Sequence, residues 1–206
     1  SVIRDDESRA LEVLLSTPLR PVDYAWGKFT GVTAAFLAVL AIHVAFLILF
    51  LSFVPNADMI EARGPFAIAN YLVPALMIAV PSIVFAAGVS FGVGTGTRRA
   101  ILVFVVPIAM LMLGAFLLWN WSPAWLPEST NRLLMFLDPA SVRWLNETYL
   151  EVDRGATYYN TQPVGWDALI IANRLFWSGI ALVAAWIGVR RFAATARASH
   201  KVAPEL

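Results

Sequence analysis

The sequence predicts an all-α fold: a polytopic membrane helix bundle of four transmembrane helices, preceded by a cytoplasmic amphipathic helix. Hydrophobic residues make up 59% of the 206 positions and charged residues only 14%, unlike the composition of a soluble domain. The apolar residues form four runs of about 20 residues, the length that crosses the hydrocarbon core of a bilayer. A long polar stretch, residues 122–167, separates the last two runs and predicts an extracytoplasmic loop.

Charge, cysteine content and motifs exclude several classes of protein. The formal net charge is +1, whereas a nucleic-acid-binding protein would concentrate Lys and Arg on one face or tail. Without cysteine the chain has no disulfides, no Cys-ligated metal and no thiol nucleophile. Neither HExxH nor GxSxG occurs. We therefore expect a chain that is not an enzyme and binds no cofactor or metal of its own.

Residues 5–16 have the pattern of an amphipathic helix, with an apolar stripe at helical spacing and charged residues mostly on the other side. The residue before a proline is disfavoured in the α region, so Thr17 and Pro18 predict the end of this helix. The pattern fits a helix covering the bundle surface or a docking helix for a soluble partner. The stripe is Ala10, Leu11, Leu14 and Leu15.

The first predicted span covers residues 29–53 and has one ionisable group, His43, near its middle. An imidazole inside a membrane is a candidate functional group, because its presence there is costly. No Asp or Glu occurs in a neighbouring span. His43 is therefore either a hydrogen-bonding group between helices or part of a proton relay.

The second predicted span covers residues 66–89 and contains Pro74 and Pro81, which predict kinks. Such kinks serve either packing or bending of the helix during transport. The alternating glycines that follow, in residues 91–97, predict a tight turn. Arg98 and Arg99 mark that turn as cytoplasmic, and residues 100–118 form the third predicted span.

Short helices are expected within the polar loop at residues 131–137 and 141–150, the second with Ser141 as its N-cap. The fourth span is predicted at residues 168–189. Asn173 and Arg174 lie one to two turns inside it, where Arg174 is expected to snorkel or to pair with a loop carboxylate. The acidic residues of the loop are expected to be solvated: Glu128, Asp138, Glu147, Glu151 and Asp153.

The distribution of basic residues predicts the orientation. Ten Lys and Arg residues lie before the first span, between the second and third, and after the fourth, against four in the two other connections. Because cytoplasmic loops carry the excess of positive charge, both termini of this chain are expected in the cytoplasm.

Two blocks of sequence resemble ABC-2 type transporter permeases. The first runs from the acidic start through the pattern E-x-L-L-S-T-P-L-R to a Gly-Lys pair at residues 27–28. The second comprises LDP at residues 137–139, TYYNT at 157–161 and NRLFW at 173–177. The residues of the first block that match are Glu12, Leu14, Leu15, Ser16, Thr17, Pro18, Arg20, Tyr24, Gly27 and Lys28.

The resemblance implies that residues 1–206 are one permease domain and that residues 1–28 are its cytoplasmic coupling segment. The coupling helix would sit in a groove of a separate ABC ATPase subunit, which binds and hydrolyses the ATP. The remaining implied partners are a second permease copy and the lipid of a bacterial inner membrane. Similar permeases usually have two further spans before this segment, and some are joined to an M1 aminopeptidase-like domain. We expect this chain to correspond to the last four spans.

The resemblance also assigns site residues. Those for ATPase coupling are Asp5, Asp6, Glu7, Arg9, Glu12, Ser16, Thr17, Pro18 and Arg20. Those at the start of the first span are Tyr24, Gly27 and Lys28.

Three functions remain open from the sequence. The first is the permease subunit of an ATP-driven exporter. The second is a membrane anchor or scaffold for a soluble, peptidase-like domain outside this chain. The third is a secondary transporter, which would need intramembrane ion or proton sites, and only His43 and Arg174 are available for them.

Overall fold

A computed structural model describes residues 17–53, 64–119 and 121–202. Within them every regular element is helical, which confirms the predicted fold class. The helices, numbered in chain order, are α1 Pro21–Phe53, α2 Ala69–Thr97, α3 Ala100–Leu113, α4 Glu128–Leu137, α5 Val142–Leu145, α6 Gly155–Thr161 and α7 Ala168–Val202.

Three helices are long and apolar enough to cross a membrane: α1, α2 and residues Ala168–Ala196 of α7. The apolar helix Ala100–Phe116, which falls on the third predicted span, is shorter. Helix α1 begins at Pro21, earlier than the predicted span. Proline is favoured in the first helical turn, where its missing N–H would have no partner inside the helix.

Helix α2 contains a π-helical segment, Ala75–Ala79, directly after Pro74 and shortly before Pro81. Proline lacks the N–H of a regular helical hydrogen bond, and a π turn is one way in which a helix absorbs that loss. The irregular part of α2 therefore coincides with the two prolines that predicted kinks. A second π-helical segment, Gly114–Leu118, follows α3.

The glycine-rich residues 91–97 do not form the predicted turn. Helix α2 continues through them to Thr97, and the chain turns at Arg98, whose φ is 53°. Gly88 and Gly92 lie one helical turn apart and face the backbone of α7 at Ala181 and Ala184. The missing side chains allow the two helices to touch, so these glycines serve close packing, as small residues do between membrane helices.

The chain divides into two compact units. Among the described residues, the first unit combines residues 17–35, 83–112 and 178–202, and the second contains the rest. The first unit has a buried cluster of Tyr24, Ala25, Val189 and Phe192. The Tyr24 and Phe192 rings pack with their centroids 5.8 Å apart, which joins the start of α1 to the C-terminal part of α7.

In the second unit, the long loop folds into short helices against the N-terminal part of α7. Helices α4 and α5 lie near the predicted short helices, and a π-helical segment, Asn146–Leu150, extends α5. Trp144 is 1% exposed and stacks on Trp166 with 5.7 Å between ring centroids. Asp167 accepts bonds from the Trp144 indole and from the backbone N–H of Ile170, so it caps α7.

The close approach of α2 and α7 predicts that Gly92→Ala destabilises the protein. A Cβ at Gly92 would lie 2.6 Å from the carbonyl oxygen of Ala184, and such overpacking costs about 1–3 kcal/mol. Gly179→Ala in α7 is the matched control, because a Cβ there meets nothing within 4 Å and alanine favours a helix. We expect a lower apparent melting temperature in detergent for Gly92→Ala only. A Gly92→Ala protein as stable as its control would contradict the packing.

Candidate functional site

A buried polar cluster lies within the second unit. It comprises Arg174 and Asn173 from α7, Asp138 and Ser141 from the connection between α4 and α5, and Ser82 from α2, and we call it the Arg174 cluster. Asn173 is 1% exposed and Arg174 is 5% exposed. The cluster therefore joins the long polar loop to two apolar helices.

Asn173 satisfies the carbonyl groups at the C-terminal end of α4. Its Nδ2 donates to the carbonyl oxygens of Phe136 at 2.8 Å, Asp138 at 2.9 Å and Met135 at 3.1 Å. The Trp177 indole also donates to the Phe136 carbonyl, at 3.0 Å. The last carbonyls of a helix have no partner within it, so these side chains of α7 act as the C-terminal cap of α4.

Arg174 bonds to neutral groups on two sides. On one side its Nη2 donates to the Pro139 carbonyl at 3.0 Å and to the Ser141 hydroxyl. On the other side its Nη1 donates to the Ser82 hydroxyl at 3.2 Å, and Ser82 donates in turn to the Ile78 carbonyl of α2. The expected carboxylate pair is absent, since no described salt bridge involves Arg174. The guanidinium instead links α2 to the loop through hydrogen bonds to neutral groups.

Asp138 and Ser141 differ from their predicted roles. Asp138 is 1% exposed rather than solvated, and its carboxylate accepts the backbone N–H groups of Ala140 and Arg143, each at 2.9 Å. Ser141 precedes α5 with a left-handed φ of 59° and makes no capping bond through its side chain. Its hydroxyl instead donates to Asn173 Oδ1 at 3.0 Å. Asp138 therefore stabilises the turn before α5, and the Ser141 hydroxyl bonds to α7 instead of capping α5.

A second buried polar group surrounds Arg143. Its Nη1 donates to the carbonyls of Leu118 and Trp121, and its Nε donates to Asn131 Oδ1 at 2.8 Å. Glu147, also expected to be solvated, has a side chain only 13% exposed and lies 3.5 Å from Arg143 Nη2. Asn131 donates to Glu147 at 2.9 Å. These residues connect the end of the α3 region to α4 and α5. Sequence patterning did not single out Asn131 or Arg143, and it wrongly placed Glu147 in solvent.

The residues expected at the start of the first span lie in the first unit. Tyr24 is buried, Gly27 faces open space, and Lys28 Nζ lies 5.5 Å from the centroid of the Tyr24 ring. Just before them, Arg20 Nε donates to Asp23 at 2.7 Å. The hydrogen bond and the charge of Asp23 raise the pKa of Arg20 above its usual value. The turn at Thr17 and Pro18 is exposed.

The remaining predicted residues are not brought together. Six coupling residues lie outside the described part of the chain: Asp5, Asp6, Glu7, Arg9, Glu12 and Ser16. His43 is exposed on α1, and no hydrogen bond or ion pair of its imidazole is found among the described residues. Pro74 and Pro81 flank the π-helical segment of α2, and Ser82 of the Arg174 cluster follows directly.

The Arg174 cluster has the chemistry of a positioning site rather than a reactive one. Its cation and amide donate to carbonyls and hydroxyls that accept from them. The carboxylate of Asp138 already accepts two backbone N–H groups. Because the polar groups of the cluster bond to one another, they hold the loop on the apolar helices. They also avoid the cost of unpaired polar groups in surroundings of low dielectric constant.

Replacement of Arg174 by glutamine is expected to destabilise the protein by about 1.5–3 kcal/mol, because buried hydrogen bonds to a charged group are lost. Arg132→Gln on the exposed side of α4 is the matched control and should be neutral. The measurement is the apparent melting temperature in detergent, together with protease sensitivity of residues 121–167. Equal behaviour of the two variants would show that the cluster does not hold the loop.

Comparison with known proteins gives one family. The family model described as ABC-2 family transporter protein matches residues 1–195. No curated protein and no solved structure matches the chain.

Proposed function

The chain belongs to the ABC-2 family of transporter proteins, and on this premise we propose that it is the permease subunit of an ATP-driven exporter. As a family member with membrane-length apolar helices, it is an integral membrane protein and a transport component. The observation that carries the finer proposal is the packing of the start of α1 against α7. Through this packing, a displacement of the coupling segment would be transmitted directly from α1 to α7.

In this proposal residues 5–16 dock on a separate ABC ATPase, which binds and hydrolyses the ATP. The chain then supplies the transport path and the moving helices. The docking residues are followed by two prolines, Pro18 and Pro21, and by the Arg20–Asp23 ion pair on the first turn of α1. Proline restricts the backbone at both positions, so a displacement of the docked segment is carried to α1 rather than lost in a flexible joint.

The buried residues of α1 carry the displacement further. Tyr24 packs on Phe192, and Phe29 packs on Phe91 of α2 with ring centroids 5.5 Å apart. Ala25 is fully buried in the same cluster. Close-packed side chains transmit strain because few voids are left to absorb it. The start of α1 is therefore proposed to move together with the parts of α2 and α7 that it contacts.

We also propose a membrane, an orientation and a second subunit for the protein. The excess of Lys and Arg supports a cytoplasmic location for both ends of the chain in a bacterial inner membrane, where an ATPase can reach residues 5–16. A second copy of the permease completes the transport path. His43 is proposed to contact this copy or the path itself, because an exposed imidazole at mid-span is costly in hydrocarbon.

A triple variant tests ATPase docking. Glu7→Ala, Arg9→Ala and Glu12→Ala together remove charges proposed to face the ATPase, so the permease is expected to lose at least roughly tenfold of the ATPase that co-purifies with it. Higher salt should weaken the wild-type association as well, if the charges face solvent.

The matched control is a triple variant in the extracytoplasmic loop, Glu128→Ala, Arg132→Ala and Glu151→Ala, all at exposed positions. It changes the same kinds of charge without touching residues 5–16 and should leave co-purification unchanged. Retention of the ATPase by the first variant, or equal loss in both, would refute the docking role.

Tyr24→Ala tests transmission separately from docking. The substitution removes a buried ring, so we expect the ATPase to remain bound while its activity no longer responds to the permease in proteoliposomes. Val32→Ala, at a position of α1 that is 46% exposed, is the control. Comparable stimulation of the ATPase by Tyr24→Ala and Val32→Ala permeases, both monodisperse, would contradict the proposed route.

A further inference from the structure

We propose that a cavity in the second unit, between the end of α1, the start of α2 and the segment after α6, binds an uncharged amphiphile with a hydrogen-bonding head and an acyl chain. The inference rests on this cavity alone and does not depend on ATP-driven transport.

The cavity has a volume of about 760 Å³, which lies within the usual range of small-molecule sites. Leu51 and Ser52 of α1 form one side of it. Residues 64–74, which include the first turns of α2, form another, and Tyr159 and residues 162–166 complete it. Three separate parts of the chain therefore line this open cavity.

The described lining carries no charged side chain. Its polar groups are hydroxyls and amides, and two of the amides, Asn70 and Gln162, make no side-chain hydrogen bond within the described chain. Ser52 and Tyr71 share a hydrogen bond of 2.9 Å across the wall. The described lining thus offers the exposed amides of Asn70 and Gln162 to a ligand head, and none of its side chains is charged.

The rest of the lining is apolar or aromatic, including Leu51, Val73, Pro74 and Trp166. Leu51 and Val73 are each 37% exposed, so they present apolar surface that a chain of methylene groups would cover. Burial of a single methylene contributes about 0.8 kcal/mol. An acyl chain fits this part of the cavity, whereas a fully polar solute would leave it uncovered.

The position of the cavity along α1 corresponds to the membrane interface. Helix α1 has 33 residues, which at 1.5 Å per residue is about 50 Å, while the hydrocarbon core is only about 30 Å thick. Leu51 and Ser52 are at its last turn and hence lie near the headgroups. Tyr and Trp are enriched at that depth, as Tyr71, Tyr159 and Trp166 are here.

These features favour an uncharged lipid over the two obvious alternatives. A phospholipid with an anionic head is typically bound by Lys or Arg, and none of the described lining residues is basic. A water-soluble ligand would not use the apolar wall. The chemistry that remains is a head of hydroxyl or glycosyl groups joined to hydrocarbon, such as a diacylglycerol or a neutral glycolipid.

The test uses a diacylglycerol with a diazirine in one acyl chain, added to phosphatidylcholine nanodiscs that contain the permease. Peptide mapping after illumination should place the main adduct on residues of the cavity wall. An excess of unlabelled diacylglycerol should suppress that adduct, and an equal excess of phosphatidylglycerol should not.

Two variants make the test specific. Ala69→Trp places an indole in the cavity wall and should reduce the adduct about tenfold, and the pair Asn70→Leu with Gln162→Leu should do the same by removing the groups that hold the head. Ala172→Trp, exposed on α7 and outside the cavity, is the matched control and should label like the wild type.

The outcome distinguishes a site from the lipid that surrounds any membrane protein. Labelling spread evenly over α1, α2 and α7, or equally strong cavity labelling in Ala69→Trp and Ala172→Trp, would overturn the proposal. Preferential competition by phosphatidylglycerol would also overturn it, because it would show a charged ligand. Since no ATPase is present, failure here leaves the permease function untouched, and success does not establish transport of the lipid.

Discussion

Carbonyl groups at the C-terminal end of α4 need hydrogen-bond donors, and α7 supplies them through Asn173 and Trp177. A polar loop that lies on apolar helices cannot leave such groups unpaired, because neither lipid nor a packed helix replaces water as a partner. Arg174 adds bonds to the next carbonyl along the loop and to Ser82 of α2. The loop, the irregular part of α2 and the start of α7 are therefore one hydrogen-bonded structure.

Composition and periodicity were sufficient for the fold class, because a long apolar run in a membrane has few alternatives to a helix. They failed where a neighbouring helix decides the structure. Judged by its own backbone alone, glycine favours a turn. At Gly88 and Gly92, however, the absence of a side chain allows the backbone of α7 to pack directly against α2. No pattern within residues 91–97 contains that information.

The candidate site was partly accessible from the sequence. Asn173 and Arg174 stood out because polar residues in an apolar run are costly and so call for partners. Their partners did not stand out: Asp138 and Ser141 are more than thirty positions away and resemble common loop residues. Arg143 was missed and Glu147 was expected in solvent for the same reason, since a charged residue in a loop is solvated unless the fold buries it.

The contact of α2 with α7 has a mechanical consequence. Where two helices meet through side chains, rotamer changes can absorb a small shift of one against the other. At Gly92 the α2 backbone rests on the Ala184 backbone, and Gly188 of α7 approaches Gly92 with no side chain between them. The Gly92–Ala184 contact itself has no rotamer that could change, although the side chains of Thr95 and Phe91 also lie next to Gly188. The two helices can separate or slide there, but neither can be pressed toward the other without moving it by the same distance.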